Sequence, residues 1–235
     1  MKSFVVVPTY NESENIQNLL NELIQFDIEI VVVDDNSPDG TSGLVKVMQK
    51  KSKKIHLITR TTERGRGSAG IAGFKYALAK GADVAGEMDA DYSHNPKYIP
   101  NMLERIKECD LVLGSRLVKG GKDIGRPLLR RIITILANLY IQIILGIKAR
   151  DCNSGYRFFK RNVLETINLD KMVSQGPSIV QEMLYKTHLK GFKICEIPIE
   201  FVEREKGKSK LGFKQLYKGY IMVLKLKWWR ITGRI

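Results

Sequence analysis

The sequence is poor in the residues that build disulfide frameworks and zinc sites. Its 235 residues include three cysteines and three histidines. The cysteines are odd in number and lie far apart, at Cys109, Cys152 and Cys195. Small disulfide scaffolds use even sets of cysteines at short spacings, and zinc sites need clustered cysteine or histidine ligands. The cysteine content therefore predicts neither kind of site, and we expect a reducing compartment.

Long apolar runs are also scarce. Met1 is followed almost at once by a strand-like stretch, which leaves no room for the basic and cleavage regions of a signal peptide. The apolar segment Ile132–Ile147 has 16 residues, interrupted by Asn138 and Gln142, whereas a membrane span needs about 20. We expect this segment to be either a buried core helix or a helix in a membrane interface, and the protein to be cytoplasmic.

Acidic residues are outnumbered: 25 Asp and Glu face 39 Lys and Arg, giving a formal net charge of +14. Nucleic acid, anionic lipid and phosphorylated substrates are all partners that such a charge attracts. The basic residues become denser after residue 116 and again after residue 204. Because no recognition helix or aromatic RNA-binding strand is recognisable, we expect a membrane or phosphate-binding face and no nucleic acid.

Strand-like and helix-like patterns alternate along the chain. Apolar runs at 4–7, 29–33, 55–59, 82–88 and 110–113 predict strands, and the segments between them have helical spacing. Asn11, with Glu14 three residues later, is expected to cap the first helix. Alternation of this kind predicts one α/β domain with a mostly parallel central sheet flanked by helices.

Two carboxylates, Asp89 and Asp91, follow the strand predicted at 82–88 with one alanine between them. The triplet alone is common and is usually a solvated turn. Open α/β sheets, however, bind ligands at the carboxyl ends of their strands, where paired carboxylates can share a divalent cation with a diphosphate. We therefore predict that Asp89 and Asp91, with Ser93, hold Mg²⁺ or Mn²⁺, whereas His94 is expected to pack in the turn.

Several motifs in a fixed order resemble the family 2 inverting glycosyltransferases, whose GT-A fold is Rossmann-like. They are VVVPTYNE at 5–12, VVVDDNSPDGT at 31–41, DAD at 89–91 and GSR at 114–116. Later motifs resemble the dolichyl-phosphate (polyprenyl-phosphate) mannosyltransferase branch: DCNSGYR at 151–157, IPIEFVER at 197–204 and GKSKL at 207–211. The resemblance implies transfer of mannose from GDP-mannose to dolichyl or another polyprenyl phosphate, with inversion.

The resemblance also implies roles for individual residues near the nucleotide sugar. Pro8 and Tyr10 would pack on the base, Glu12 would accept hydrogen bonds from ribose or base, and Asp35 would accept one from a base N–H. Asp34 is instead expected to cap a turn. The nucleotide-sugar set implied by the motifs is Pro8, Tyr10, Glu12, Val33, Asp35, Asp89, Ala90, Asp91, Arg116, Arg204 and Lys210.

Three cations match family positions that bind phosphate groups. Arg116 follows a predicted strand, and Arg204 and Lys210 flank a Gly- and Ser-containing segment able to close over a diphosphate. With Asp89 and Asp91, they form the predicted catalytic set. Arg130 and Arg131, just before the apolar segment, are predicted to hold the acceptor phosphate. The segment 64–70 is interpreted as a flexible helix entry, with contact to the nucleotide or the acceptor as the alternative. Glu182 is interpreted as either a structural or a catalytic acid.

The C-terminal residues form a second predicted unit. We place the catalytic domain at 1–213 and a basic amphipathic tail at 214–235, which contains Trp228-Trp229 and five basic residues after Tyr217. Tryptophan beside basic residues is typical of the headgroup level of a bilayer. We therefore expect amphipathic interfacial helices in the second half and a peripheral protein on the cytoplasmic face, held by the tail or by a membrane-anchoring partner protein.

Competing functions remain open at this point. The Asp-x-Asp pattern indicates a metal and a diphosphate but not the base, so a polyprenyl-phosphate transferase using another donor such as UDP-glucose is the nearest alternative. A nucleic-acid-binding protein and a non-catalytic membrane adaptor are more distant ones. Assays with GDP- and UDP-sugars would separate them.

Overall fold

A computed structural model describes residues 1–62, 64–174, 176–203 and 213–235, with side chains described from residue 217 in the last range. The strands are β1 (Ser3–Thr9), β2 (Glu29–Asp34), β3 (Ile55–Thr59), β4 (Val84–Glu87), β5 (Leu111–Ser115), β6 (Lys122–Ile124), β7 (Arg157–Lys160), β8 (Ile194–Pro198) and β9 (Glu200–Val202). The helices are α1 (Ile16–Leu23), α2 (Thr41–Lys51), α3 (Arg66–Ala79), α4 (Ile99–Arg105), α5 (Leu128–Leu145), α6 (Arg161–Thr166), α7 (Ile179–Leu189) and α8 (Phe213–Ile231). Two short 3-10 helices cover Pro96–Tyr98 and Leu169–Lys171.

Seven strands form one central sheet in the order β3-β2-β1-β4-β7-β5-β8. All neighbouring pairs are parallel except those of β7, which is antiparallel to β4 and to β5. Strands β6 and β9 form a separate parallel pair. The prediction of a mostly parallel α/β sheet is confirmed, and the antiparallel insertion of β7 is the feature that the strand pattern did not predict.

Helices cover both faces of the sheet. Val5 and Val7 of β1 lie in one apolar cluster with the buried side of α1, whereas Val6 lies in the other with Phe74 of α3. A strand buried on both faces needs no polar alternation, which explains the continuous valine runs in β1 and β2. Gly73 lets α3 approach the sheet, because a Cβ there would lie 2.2 Å from Val6 Cγ1.

The first helix starts later than the sequence predicted. α1 begins at Ile16, after Asn15, and Asn11 has a left-handed backbone with φ of 59°. The predicted cap at Asn11 is therefore wrong. Instead, the Asn11 N–H donates to Ser37 Oγ and the Glu12 N–H to Thr41 Oγ1, both at 3.0 Å, so this loop is tied to the loop that follows β2.

The apolar segment of the second half forms α5, which begins at Leu128 rather than Ile132 and ends at Gly146 in the left-handed conformation. Among the described residues, α5 alone is long and apolar enough to cross a membrane, judged by length and composition only. Leu128 is 70% exposed and Ile143 is 69% exposed, and only Asn138, Ile141 and Leu145 are buried. The alternative of a buried core helix is therefore wrong.

The C-terminal helix α8 packs against α5 and α7. Its Val223 and Leu226 are buried in the same cluster as the sheet. Tyr140 of α5 donates a 3.3 Å hydrogen bond to the Tyr220 carbonyl, with their rings 5.1 Å apart. The helix also exposes Trp228, so it combines a packed side with an apolar exposed one.

Two of the three cysteines are not free thiols. Cys109 and Cys195 form a disulfide, with their Cα atoms 6.1 Å apart. They meet because β5 and β8 are neighbouring strands, with Val112 opposite Cys195. Cys152 is buried and free. The sequence did not predict this disulfide, and the reducing compartment inferred from the cysteine content loses its basis.

Candidate active site

The site lies where several strands end at one edge of the sheet. β1, β2, β4 and β5 are parallel and finish there, and the antiparallel β7 begins there. The pairing places Thr9 opposite Asp34, and Arg157 opposite both Glu87 and Leu113. Because this edge gathers loops that are distant in sequence, it is where a ligand of an open α/β sheet is expected.

Asp34 holds together the loops after β1 and β2. Its buried carboxylate accepts hydrogen bonds from Thr9 Oγ1 at 3.0 Å, the Ser37 N–H at 2.9 Å and Ser42 Oγ at 2.7 Å. The prediction that Asp34 caps a turn is confirmed.

Asp35, the predicted acceptor for a base N–H, is buried and already engaged. Arg60 Nε donates to Oδ1 at 2.8 Å, and the Gly65 N–H donates to Oδ2 at 2.7 Å. A carboxylate has about four lone-pair sites, so capacity for a further donor remains. The structure therefore ties this loop to the start of α3 through Arg60, which the sequence did not single out, and through Gly65 of the 64–70 segment. The contact of Asp35 with a base stays a prediction.

The other residues predicted to contact the nucleotide lie along the first two strands. Tyr10 is exposed directly after β1, and Pro8 is half-buried within it. Val33 is fully buried in the core, so its side chain has no access to a ligand. Glu12 Oε2 accepts a 3.3 Å hydrogen bond from Asn15 Nδ2. Pro8, Tyr10 and Glu12 lie at the predicted edge of the sheet, and their contacts with a nucleotide stay predictions. Any contact of Val33 also stays a prediction and could not involve its buried side chain.

The acidic triplet follows β4 after one residue, Met88. Asp89 Oδ1 accepts hydrogen bonds from Arg66 Nε at 3.0 Å and Nη2 at 2.7 Å. Asp91 Oδ1 accepts from the Ser93 N–H at 3.1 Å and from Ser93 Oγ at 2.6 Å, while Ala90 between them is buried. The two carboxylates are therefore each held by protein donors at the end of the strand.

This donor set fits a hard divalent cation. Asp89, Asp91 and Ser93 offer only oxygen atoms, which Mg²⁺ and Mn²⁺ prefer. Among the described residues, no group of three His, Cys, Asp or Glu side chains could hold a metal ion. A cation here would use the two carboxylates together with diphosphate oxygens and water, which is how Mg²⁺ is commonly bound.

His94 is a packing residue, as predicted. It is buried, its ring stacks on Tyr156 at 5.1 Å, and its Nδ1 accepts a 3.0 Å hydrogen bond from the Asp89 N–H. Burial lowers the pKa of His94, against the opposite effects of Asp89 and Asp91. A neutral ring that accepts at Nδ1 fixes the backbone at the start of the triplet.

Arg116 is fixed by an ion pair. Its Nε and Nη2 donate to the two oxygens of Asp151 at 2.8 and 2.9 Å, and its guanidinium lies 4.7 Å from the centre of the Phe201 ring. Burial lowers the pKa of Arg116, but Asp151 raises it, and the net pKa is above its usual range. Arg116 is therefore a permanently charged, oriented group.

Phe201 of β9 connects the triplet to the start of α5. Its ring lies 5.8 Å from His94 and 5.8 Å from the Arg126 guanidinium. At the start of α5, Arg130 pairs with Glu203 and Arg131 is exposed. Arg204 and Lys210 lie outside the described residues. A cavity of about 730 Å³ opens between α7 and α8 and is lined by Lys171, Lys186 and Trp229 among others.

Sequence reasoning missed a group of buried charges beneath the triplet. Glu87 and Arg157 are buried at the edge of the sheet, and Arg66 lies between Glu87 and Asp89. Arg157 donates to the Val180 carbonyl at 2.7 Å and to Ser154 O. The sequence signals were Arg66 within the glycine-rich 64–70 segment and Arg157 at the end of the 151–157 motif, to neither of which a role was assigned.

Glu182, for which the sequence left both a structural and a catalytic role possible, has a structural role. Glu182 is buried on α7 and accepts hydrogen bonds from the Ser174 N–H at 2.8 Å and the Val173 N–H at 3.1 Å. It also pairs with Lys186 at 2.8 Å. Its carboxylate therefore holds the loop before α7.

Known proteins of similar sequence share almost the whole chain. The undecaprenyl-phosphate mannosyltransferase of Micrococcus luteus is 41% identical over 214 residues, covering 90% of this chain and 88% of the relative. The polyprenol monophosphomannose synthase of Mycolicibacterium smegmatis is 35% identical over 238 residues, covering 100% and 89%. The dolichol-phosphate mannosyltransferase of Pyrococcus furiosus is 38% identical over 237 residues, covering 97% and 64%.

Solved structures share the fold. Glucosyl-3-phosphoglycerate synthase from Mycobacterium tuberculosis, in complex with Mn²⁺, UDP and glucosyl-3-phosphoglycerate, has a TM-score of 0.68 and 17% identity over 96% of this chain and 78% of its own. The mannosyltransferase PcManGT from Pyrobaculum calidifontis, in complex with GDP-Man and Mn²⁺, has a TM-score of 0.60 and 18% identity over 99% and 64%. These likenesses confirm the predicted GT-A fold.

A family model assigns the chain directly. The model for glycosyl transferase family 2 matches residues 4–167. This range includes Asp34 and Asp35 at the end of β2 and the acidic triplet after β4. The family predicted from the motifs is therefore confirmed. This chain belongs to glycosyl transferase family 2.

Proposed function

We propose that this chain transfers mannose from GDP-mannose to the phosphate of dolichyl or another polyprenyl phosphate, with inversion at the anomeric carbon. The observation that carries the proposal is the position of Asp89 and Asp91 at the end of β4, between the Asp35 loop and the basic start of α5. The names of three relatives that match nearly the whole chain support the same acceptor and sugar. The structure bound to GDP-Man and Mn²⁺ supports the same donor on this fold.

The acceptor brings its own nucleophile. A phosphate monoester has its second pKa near ~6, so it is largely a dianion at neutral pH and needs little help from a general base. One of its oxygens would bond to the anomeric carbon from the side opposite the diphosphate. The bond from that carbon to the diphosphate oxygen breaks, and its electron pair leaves with GDP. Inversion follows from this single displacement.

The protein's part would be to position the reactants and to offset charge. Asp89 and Asp91, with Ser93, are the residues that would hold Mg²⁺ or Mn²⁺. When bound, the cation would neutralise charge on the departing diphosphate. Arg116, which Asp151 keeps oriented, would face a phosphate group. Arg204 and Lys210 remain proposed as further cations over the diphosphate.

A lipid surface is the proposed partner of the exposed apolar sides of α5 and α8. The large apolar residues exposed there are Leu128, Leu129, Ile132, Ile135, Leu136, Leu139 and Ile143 on α5, and Leu224, Trp228 and Ile231 on α8. So much exposed apolar side chain on two packed helices is typical of an interaction surface. Burial of this face in the cytoplasmic leaflet would put Arg130 and Arg131 at headgroup level, where an acceptor phosphate lies.

The test is a donor screen with a short polyprenyl phosphate. Purified protein would be incubated with GDP-mannose, GDP-glucose, UDP-glucose or UDP-mannose, each with Mg²⁺, Mn²⁺ or a chelator, and the lipid product analysed for anomeric configuration by NMR. We expect mannose transfer from GDP-mannose, lost with the chelator, and a β-linked product from the α-linked donor. Transfer from UDP-glucose alone would refute the donor, and a retained configuration would refute the displacement.

A further inference from the structure

Arg66 is the first residue of α3, and it contacts two of the three acids in segment 87–91. Two of its nitrogens donate to Asp89 Oδ1, at 2.7 and 3.0 Å, and its Nη1 lies 3.4 Å from Glu87 Oε1. Only a quarter of the Arg66 side chain is exposed. In this partly buried setting the attraction between these charges is stronger than at an open surface.

The fold reserves space for this arginine. A Cβ added to Gly155 would lie 2.5 Å from Arg66 Nη2, and one added to Gly70 would lie 2.7 Å from Glu87 Oε1. Any larger residue at either position would press on the Arg66–Glu87 pair.

The residue before Arg66 ties it to the predicted nucleotide site. Gly65 has φ of 139°, a conformation open to glycine, and its N–H donates to Asp35 Oδ2 at 2.7 Å. Two adjacent residues therefore connect Asp35, at the end of β2, to Asp89, at the end of β4. The position of Arg66 depends on both strand ends.

The charge of Arg66 also changes the electrostatic environment of the acidic triplet. Glu87, Asp89 and Asp91 place three carboxylates within five residues, and the Arg66 guanidinium offsets part of that charge. A divalent cation that binds Asp89 must approach a guanidinium which already occupies one oxygen of that carboxylate. A diphosphate that arrives with the cation brings further negative charge and reduces the repulsion between the two cations.

We infer that Arg66 is a positioning residue that holds Asp89 and keeps the acidic triplet from binding a divalent cation tightly until a nucleotide diphosphate is present. The inference rests on the proposed function for the identity of the nucleotide. Cation binding and donor binding would then depend on each other, and Arg66 would be the side chain responsible for that dependence.

The experiment measures Mn²⁺ binding directly, from the electron paramagnetic resonance signal of free Mn²⁺, with and without GDP. Arg66→Met removes the charge, Arg66→Lys keeps it, and Lys75→Met is the matched control, because Lys75 lies on the same helix in an exposed pair with Asp170. Without GDP, we expect Arg66→Met to bind Mn²⁺ about tenfold more tightly than the wild type. GDP should then strengthen binding less in this variant. Arg66→Lys, which keeps the charge but not the two-nitrogen contact with Asp89, should fall between Arg66→Met and the wild type, and Lys75→Met should behave like the wild type.

A second substitution guards against misfolding of Arg66→Met. Gly155→Ala keeps the charge, but its Cβ would lie 2.5 Å from Nη2. The guanidinium must therefore shift from its present contact with Asp89, and we expect tighter Mn²⁺ binding in the absence of GDP. Equal or weaker Mn²⁺ binding by a folded Arg66→Met or Gly155→Ala protein would overturn the inference. Absence of mannose transfer by the wild type would overturn the proposed function instead, since binding of Mn²⁺ without nucleotide is measured independently of turnover.

Discussion

Removal of Asp151 should destabilise the protein because it leaves the buried positive charge of Arg116 without its partner. The Asp151 side chain is fully buried, and the Arg116 side chain that it binds is only 9% exposed. Asp151 accepts two hydrogen bonds from the Arg116 guanidinium and a third, at 3.1 Å, from the Arg116 N–H. Asp151→Ala would leave the guanidinium with the Phe201 ring but without its carboxylate.

The magnitude follows from the burial of the pair. Loss of one partner of a buried ion pair costs about 3–5 kcal/mol, because the remaining charge stays away from water without compensation. The free energy of unfolding of a typical domain is about 5–15 kcal/mol, so this loss would be a large share of the total stability. Removal of both charges should be milder, since an apolar pair of similar volume leaves no stranded charge. We therefore expect Arg116→Met/Asp151→Leu to be more stable than Asp151→Ala.

Urea unfolding followed by circular dichroism measures the free energy of unfolding of both variants. Their difference contains the cost of the unpaired Arg116 charge together with the packing difference between Ala and Leu at position 151. The matched control is Glu165→Ala, which breaks an exposed pair with Arg161 and should change stability by less than about 1 kcal/mol. If Asp151→Ala lowers the free energy of unfolding by no more than this control does, the reasoning is refuted. A double variant less stable than Asp151→Ala would refute it as well.

Three further predictions concern activity and membrane binding. Asp91→Ala should abolish transfer with saturating Mg²⁺ or Mn²⁺ while the circular dichroism spectrum is unchanged, because a cation ligand is lost; near-normal turnover would contradict the metal site. Arg204→Ala and Lys210→Ala should lower kcat more than they raise KM for the donor, as expected of groups that act on the departing diphosphate; a change in KM alone would indicate ground-state binding. Trp228→Ala with Trp229→Ala should weaken sedimentation with anionic liposomes, and high salt should weaken it further by screening the basic residues. Wild-type protein that stays in the supernatant at low salt would show that another protein provides the anchor.

Part of the site could be predicted from the sequence because it lies in short, local signals. Asp89 and Asp91 are adjacent to a strand whose apolar run is visible, and strands of an open parallel sheet bring their carboxyl ends together. The turn-capping role of Asp34 could also be predicted, because its turn motif is likewise local in sequence. Val33, in contrast, was included from the motif, and its side chain lies in the core.

The remaining features depend on contacts between distant residues. The Arg66–Asp89 pair joins residues 23 apart, the Arg116–Asp151 pair joins residues 35 apart, and the Cys109–Cys195 disulfide joins residues 86 apart. No local periodicity specifies that α3 begins beside β4, or that β7 runs antiparallel between β4 and β5. The apolar pattern of α5 likewise does not say which neighbours cover it.

The sequence by itself therefore determined the alternation of strands and helices, the family and the edge of the sheet where the acids lie, since each follows from local pattern or motif. The tertiary structure alone decided which charges meet beneath the triplet, which cysteines pair and which side of α5 stays exposed. The physical reason is that burial and ion pairing act between elements, and the partners are chosen only when the sheet order brings those elements together.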